Sequence, residues 1–320
     1  NAITAMCIFD TSKDSDGGAW VEKCSHTSWM NEPLNGKWLG AVASEAAARA
    51  VSGAATGDYF QLSSDGKHYK LNAGAGTAEV FRGNKSKFAR LGAALASTGF
   101  VSIYDLTEPG RPMWMRFATT GALNVGNIVS LAYLNGKLLV GGLTGVATID
   151  FAGDFIRVRT STSVKQQEGI ATRDTNLSVA VPGDTQYLSS SAVNAVAMTV
   201  LSDAPVDPVT GLAVPTIAVG TGGGVNVIKD TGAVSVIGTN AAQKGIAFIG
   251  RMLVVEGINS TSYQRWTADD ITKTSGVVYT KRDTKTRIST TSVMGTYLAP
   301  SKDGVLASAT DTTNPLSLAL

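Results

Sequence analysis

"NIVSLAYLNGKLLVGGLTGVATIDFAGDFIRVR", residues 127–159, is a series of short alternating apolar runs parted by turns rich in Gly, Asn and Asp. Alternation with a period of two marks strands, because successive side chains of an extended chain point to opposite faces. Breaks at turn residues mark hairpins. The stretch therefore reads as four short antiparallel strands in succession.

The same pattern recurs along the chain. "GFVSIYD" (99–105) and "GVNVIKD" (224–230) repeat "GVATID" (145–150), each ending at an acidic residue. Each is followed by another apolar run: "PMWMRF", "GAVSVIG" and "DFIRVR". Each is preceded by a strand-like run: "LGAALAS" (91–97), "PTIAVG" (215–220) and "KLLVGG" (137–142). Two copies carry one strand more in front, "NIVSLAYL" (127–134) and "AVNAVAMTVL" (192–201). Asp105 and Asp150 lie 45 residues apart, the length of a four-stranded propeller blade, whereas Asp150 and Asp230 lie 80 apart. The excess falls around 160–190, which is rich in Ser, Thr and Gln and reads as an insertion, with room for one further blade.

Residues 244–273 follow the pattern loosely. "KGIAFIG" and "RMLVVEG" supply the first two strands, and "TSYQRWT" and the run after "ADD" the outer two. "SVMGTYLAPSKDGVLASAT" (292–310) resembles two leading strands. At the other end, "IFDTSKDSDGGAWVEKC" (8–24) reads as strand, turn and strand, much like "IYDLTEPGRPMWMRF" (103–117). The expectation is a composite blade, with inner strands from 293–309 and outer strands from 3–24, residues 3–9 pairing with 303–309. Joining the two ends would leave no open sheet edge. The expected fold is thus an all-β propeller of five four-stranded blades: the composite, 86–118, 127–160, 192–239 and 244–275. Six blades, or a stacked β-sandwich with similar hairpins, are the alternatives.

Residues 36–85 interrupt the pattern, leaving 1–35 and 86–320 for the propeller. "SEAAARAVSG" reads as a short helix with Ser44 as its N-cap and Gly53 just past its end. "GDYFQLSSDGKHYKL" reads as a hairpin turning at Asp65-Gly66. A projecting helix-plus-hairpin module is expected. Its Tyr59, Phe60, His68 and Tyr69, with Gln166 and Gln167 of the polar stretch 160–176, are the expected interaction surface.

With 35 Gly, 16% charged residues and a net charge of +2, the composition favours strands and turns and shows no polyanion-binding tail. Neither nucleic acid nor membrane insertion is expected, since no apolar run approaches the length of a span. No signal peptide is apparent, and a first residue of Asn suggests processing or a piece of a longer chain. Cys7 falls opposite Glu22 in the expected first hairpin, so no bridge to Cys24 is expected.

Only two histidines, His26 and His68, are available to any nucleophilic triad or zinc site, and neither stands in a suitable pattern. Asp10, Asp14 and Asp16 in "DTSKDSDGG" fall short of a calcium loop and read as a solvated turn. "GTGGGVN" (220–226) lacks dinucleotide spacing and reads as a tight turn between strands. Asp203, Asp207, Asp269, Asp270 and Asp283 are the carboxylates available to a glycosidase pair, but spacing places no two at the needed separation. Trp20 and Trp114 occupy similar places in the two opening strings, which favours packing over sugar stacking. No catalytic residue, cofactor or metal is assigned.

"IFDTSKDSDGGAW", "HTSWMNE", "GDYFQLSSDGKHYKL", "VFRGNK" and "PMWMRF" look like segments of virion proteins from marine tailed bacteriophages. The likeness covers the first 120 residues best; the rest resembles a generic propeller. It implies a non-enzymatic tail or tail-fibre-like component, assembled in the host cytoplasm and residing in the virion. Its partners would be other virion proteins, in a homo-oligomer or hetero-assembly. The competing expectations are a propeller that binds or cleaves host surface glycan, and a cellular scaffold.

Overall fold

The computed structural model describes residues 2–31, 38–64, 68–71, 79–83, 85–173, 179–239, 243–249, 252–257, 262–267, 283–286, 297–300, 306–309 and 317–319. The fold is all-β, built of several antiparallel sheets with few helical turns.

Sheet 1 has eight strands: β1 (Ile3–Asp10), β2 (Trp38–Val42), β3 (Tyr59–Leu62), β4 (His68–Lys70), β5 (Glu79–Arg82), β6 (Leu91–Ser97), β7 (Phe100–Asp105) and β8 (Met113–Ala118), in the order β1-β6-β7-β8-β5-β4-β3-β2. Sheet 2 contains β9 (Ile128–Leu134), β10 (Lys137–Gly142), β11 (Gly145–Asp150), β12 (Phe155–Arg159) and β13 (Val164–Glu168) as a simple meander. Sheet 3 contains β14 (Val193–Thr199), β15 (Thr216–Thr221), β16 (Gly224–Ile228) and β17 (Val234–Thr239). Sheet 4 contains β18 (Gln243–Ile249), β19 (Met252–Gly257), β20 (Ser262–Thr267) and β21 (Asp283–Thr286). Sheet 5 contains β22 (Tyr297–Pro300), β23 (Leu306–Ala309) and β24 (Ser317–Ala319).

The sheets stack in chain order, each leading strand beside the next: β1 by β9, β9 by β14, β14 by β18, β18 by β22. Sheets 1 and 2 meet over a core of Phe9, Ile103, Trp114, Phe117, Leu138 and Ile149. Sheets 2 and 3 close over Leu139, Val146, Val193, Val196 and Val219. Sheets 3 and 4 close over Ala218, Val225, Ile237, Phe248 and Leu253. Strands buried on both faces explain the near-continuous apolar runs "TIAVGT" and "KLLVGG".

The acidic residues that end β7 and β11 organise the turns beyond them. Asp105 Oδ1 accepts from the Thr107 backbone N–H at 2.9 Å, and Asp150 Oδ1 from Gly153 N–H at 2.8 Å. Such side-chain-to-backbone bonds hold the turn that starts the fourth strand.

Several expectations are corrected. The N-terminal strand does not complete a blade with the C-terminus. β1 pairs antiparallel with β6 from Ile3↔Ser97 to Asp10↔Leu91, while β22 and β23 pair with each other. Sheet 1 thus receives from residues 3–10 the leading strand that its own repeat lacked. The fit is steric: a Cβ at Gly92 would stand 2.3 Å from the Phe9 ring, so the bare glycine makes room for it. Cys7 consequently faces Ala94, not Glu22, and both cysteines are free thiols. Residues 19–26 are a 3-10 helix rather than a returning strand, with Trp20, Val21 and Cys24 buried. Trp20 and Trp114 are therefore not equivalent strand residues; both pack on Phe88, at 5.1 and 4.9 Å between ring centroids.

In the 36–85 stretch, α1 (Glu45–Arg49) is capped by Ser44, whose Oγ accepts from Ala47 N–H at 3.2 Å. β3 and β4 form the expected hairpin; its turn at Asp65-Gly66 lies outside the described residues. These strands extend sheet 1 through the single pair Arg82↔Met115. The polar stretch after residue 160 is not a loop throughout: β13 pairs with β12, and Val179 and Val181 bond back to it. The fourth strand of sheet 4 is Asp283–Thr286, later than the run after "ADD".

Candidate functional site

The segment between β1 and the 3-10 helix of residues 19–26 forms a heavily bonded node. Asp14 is buried, and its carboxylate accepts from Trp20 Nε1 at 2.8 Å, Tyr133 Oη at 3.0 Å and Asn135 N–H at 2.8 Å. Asn135 sits in the β9–β10 turn with φ +50°, followed by Gly136 at +67°. An Asn-Gly pair supplies the two left-handed residues that a tight hairpin of this twist requires. The Asn135 amide donates to Ser15 Oγ at 3.0 Å and to Ala213 O at 2.7 Å, and its oxygen accepts from Ser15 N–H at 2.8 Å. One residue thereby joins the segment after β1, sheet 2 and the 203–214 excursion of sheet 3. The solvated turn expected for "DTSKDSDGG" is corrected at Asp14, which is a structural acceptor inside the protein.

Burial raises the Asp14 pKa from its ordinary value, opposed by the donors of Trp20, Asn135 and Tyr133. Burial also pushes the Tyr133 hydroxyl well up, assisted by the adjacent Asp14 charge. The Tyr133 hydroxyl is thereby moved further from titration near neutrality. Burial pushes the Cys7 thiol up to about 11 and the Cys24 thiol up to about 12, so neither is an activated nucleophile.

Other polar side chains of the interior and its margin are similarly committed. Asp154 accepts from Ser28 N–H at 2.6 Å, Ser28 Oγ at 2.8 Å and Ile170 N–H at 2.9 Å. Arg82 donates to the carbonyls of Trp114 and Ser86 at 3.0 and 2.9 Å and stacks 4.5 Å from the Trp114 ring. Arg173 donates to Arg116 O at 2.9 Å. Sequence reading passed over these residues, because an isolated Asp, Asn or Arg has no motif; only the Asn-Gly pair carried a local signal.

Beside the node lies a cleft of about 450 Å³ whose wall carries Ser12, Glu22, Lys85, Lys87, Arg90 and Asp105. Lys87 Nζ bonds Glu22 at 2.8 Å, and Lys85 lies 3.6 Å from Asp105 and bonds Glu108. The Glu108 bond raises the Lys85 pKa. The cleft offers cationic donors beside carboxylates already engaged, a surface suited to hydroxyls or an acidic group.

The expected interaction residues are dispersed. Tyr59 and Phe60 lie 1% and 0% exposed, and Phe60 packs with Leu39, Ala48 and Leu71 in a small core of its own. Neither side chain is exposed in this chain, and the Phe60 ring belongs to that core. Tyr69 stacks on Phe60 at 5.6 Å. His68 pairs through its backbone with Gln61 and Arg82. Gln166 accepts from Arg157 Nε at 2.7 Å, and Gln167 donates to Thr172 Oγ1 at 2.8 Å. Asp207 caps its own turn through Val209 N–H at 2.8 Å, Asp269 and Asp270 lie outside the described residues, and Asp283 falls in β21. His26 is exposed, with Nδ1 3.0 Å from Lys23 O. "GTGGGVN" forms the expected turn, Thr221 pairing with Gly224. Among the described residues no group of three His, Cys, Asp or Glu is arranged to hold a metal, and no helix is long and apolar enough to cross a membrane.

No protein-family model and no curated protein matches the chain. Among solved structures it is similar to a humanized mutant of the Chaetomium thermophilum Polycomb Repressive Complex 2 bound to GSK126, at 12% identity and TM-score 0.44, covering 71% of this chain and 46% of that one. It is also similar to the extracellular domain of a putative hybrid two-component system from B. thetaiotaomicron, at 12% identity and TM-score 0.34, covering 71% of this chain and 31% of that one. The chain thus spans less than half the length of either, and likenesses this slight do not identify it.

Proposed function

We propose that the five sheets are blades of a β-propeller that serves as a non-enzymatic platform in a bacteriophage tail or tail-fibre assembly, making contacts with other virion proteins or with further copies of itself. The observation that carries this reading is the commitment of four buried or half-buried carboxylates. Asp14, Asp105, Asp150 and Asp154 each hold backbone or ring N–H donors across turns and between sheets. Groups so engaged serve rigidity, which a particle component under mechanical stress requires, rather than turnover. The phage-like strings of the first 120 residues support a place in the virion for that assembly. Peptide mass spectrometry of purified particles tests this: the chain should be present in several copies per particle, and its absence from clean particles would remove the reading.

A second reading, a propeller that binds or cleaves host surface glycan, is favoured by the cleft lined by Lys85, Lys87 and Arg90. Its test is hydrolysis or retention of bacterial polysaccharide by the purified chain. Either activity, lost on replacing Arg90 or Asp105, would promote this reading over the first.

A further inference from the structure

Every sheet-to-sheet junction from sheet 1 to sheet 4 is closed by a buried core, yet one face of sheet 1 carries exposed apolar side chains at its β1–β6 end. Register defines that face. Met6 pairs with Leu95, Ile8 with Ala93 and Asp10 with Leu91, placing Met6, Ile8, Leu91, Ala93 and Leu95 together. A bulge between Ile3 and Ala5 inserts one extra residue in β1 and returns Ile3, opposite Ser97, to the same side. Bulges re-aim side chains in this way. Ile3, Met6 and Ile8 are each 61% exposed. The opposite face, with Ala5, Phe9, Ala94 and Ala96, is buried against sheet 2. A contiguous apolar patch along a leading strand marks a surface with an occupant.

Sheet 5 has the complementary property. Its register places Tyr297, Ala299, Ala307, Ala309 and Leu318 on one face and Leu298, Pro300, Leu306 and Ala319, with two serines, on the other. A sheet apolar on both faces requires a neighbour on each side. Sheet 4 is one neighbour, since β22 lies beside β18. In a ring of sheets in this serial order, the other neighbour would be the exposed face of β1 and β6.

We propose that the exposed face of β1 and β6 is the docking face for the chain's own sheet 5, so that the ring closes face to face and not through a shared strand. The proposal rests on the propeller reading and is independent of the virion role, which the particle measurement tests separately. It gives β1 a second role, since the strand that completes sheet 1 also receives the last sheet.

The experiment compares thiol labelling of Ile8→Cys with that of Val209→Cys, a position 84% exposed on the 203–214 excursion, in the full chain at pH 7. The native thiols contribute little background, with pKa values of about 11 and 12. Covered by sheet 5, Ile8→Cys should label about ten-fold or more slower than Val209→Cys in the dilute monomer, because access controls the rate. Equal rates in the monomer would overturn the proposal. Protection that appears only as concentration rises would overturn it in favour of a second copy. Introducing Ala307→Asp or Leu306→Asp, one on each face of sheet 5, should restore fast labelling in at least one case, and protection that survives both would also reject sheet 5 as the occupant. If either variant fails to fold, the comparison in the otherwise unaltered chain still decides whether the face is covered.

Discussion

Asn135 donates its backbone N–H to Asp14 Oδ1 at 2.8 Å, across 121 residues of chain. This bond ties the N-terminal segment to the first hairpin of sheet 2. Because the same carboxylate also accepts from Trp20 and Tyr133, three donors converge on one buried anion. Asp14→Asn would turn an amide donor toward at least one of these donors. A buried donor left without an acceptor costs about 1–3 kcal/mol. Chemical denaturation should show a loss in that range with an unchanged slope; no loss would remove Asp14 from its place at the node.

The same residue sets a pH dependence. Its folded pKa is raised above the ordinary 3.8 by burial. The neutral form is therefore favoured by folding, so the contribution of Asp14 is full below the unfolded value and is lost as pH rises through the folded value. The stability gap between the native chain and Asp14→Asn should widen as pH falls from about 7 to about 4. A gap that narrowed on acidification would reverse the assigned direction.

Asp154 holds the 27–31 segment and the 169–171 turn together through three hydrogen bonds. Asp154→Ala should cost roughly 2 kcal/mol or more, since the Ser28 and Ile170 amides lose their acceptor. Hydrogen exchange should quicken at Ser28 and Ile170 first, leaving β14–β16 unchanged. Uniform acceleration across all sheets would mean that the bonds are not local.

Gly142 tests the close packing at the end of β10. A Cβ there would stand 2.3 Å from Val125 O, which is backbone and cannot swing aside. Gly142→Ala should destabilise by about 1–3 kcal/mol through overpacking. A melting temperature equal to that of the native chain would show that the 124–127 turn yields freely.

The 36–85 stretch meets the rest of sheet 1 through Arg82, whose guanidinium bonds Trp114 O and stacks on its ring. Replacing residues 43–78 by a short Gly/Ser linker while keeping Arg82 should leave the near-ultraviolet signal of Trp20, Trp29 and Trp114 intact. Arg82→Ala alone should reduce that signal, because the indole loses its cationic cover. If the linker variant loses the signal while Arg82→Ala keeps it, the stretch supports the core by another route.

The strands of sheets 2 and 3 were legible because their cause is local: period-two alternation and turn residues act within a hairpin. Thus "GVATID" and "GVNVIKD" fall on β11 and β16, and Ser44 caps α1 as its position suggests. The 19–26 segment misled because a tryptophan after a Gly-rich turn resembles a returning strand. Its buried Trp20, Val21 and Cys24 instead follow helical spacing.

What the sequence by itself determined is therefore the kind of element and the identity of neighbours in a meander. The partner of β1 was decided only in the tertiary structure. An alternating strand satisfies its hydrogen bonds on any exposed edge, so pattern cannot choose between β6 and β23. The choice rests on shape across more than eighty residues: the Phe9 ring over Gly92, its stack on Tyr133 at 4.4 Å, and the Asp14–Asn135 bond that follows it. Asp14 likewise reads as a solvated turn residue until Trp20, Tyr133 and Asn135 are brought around it, because burial belongs to the assembled neighbours and not to the residue.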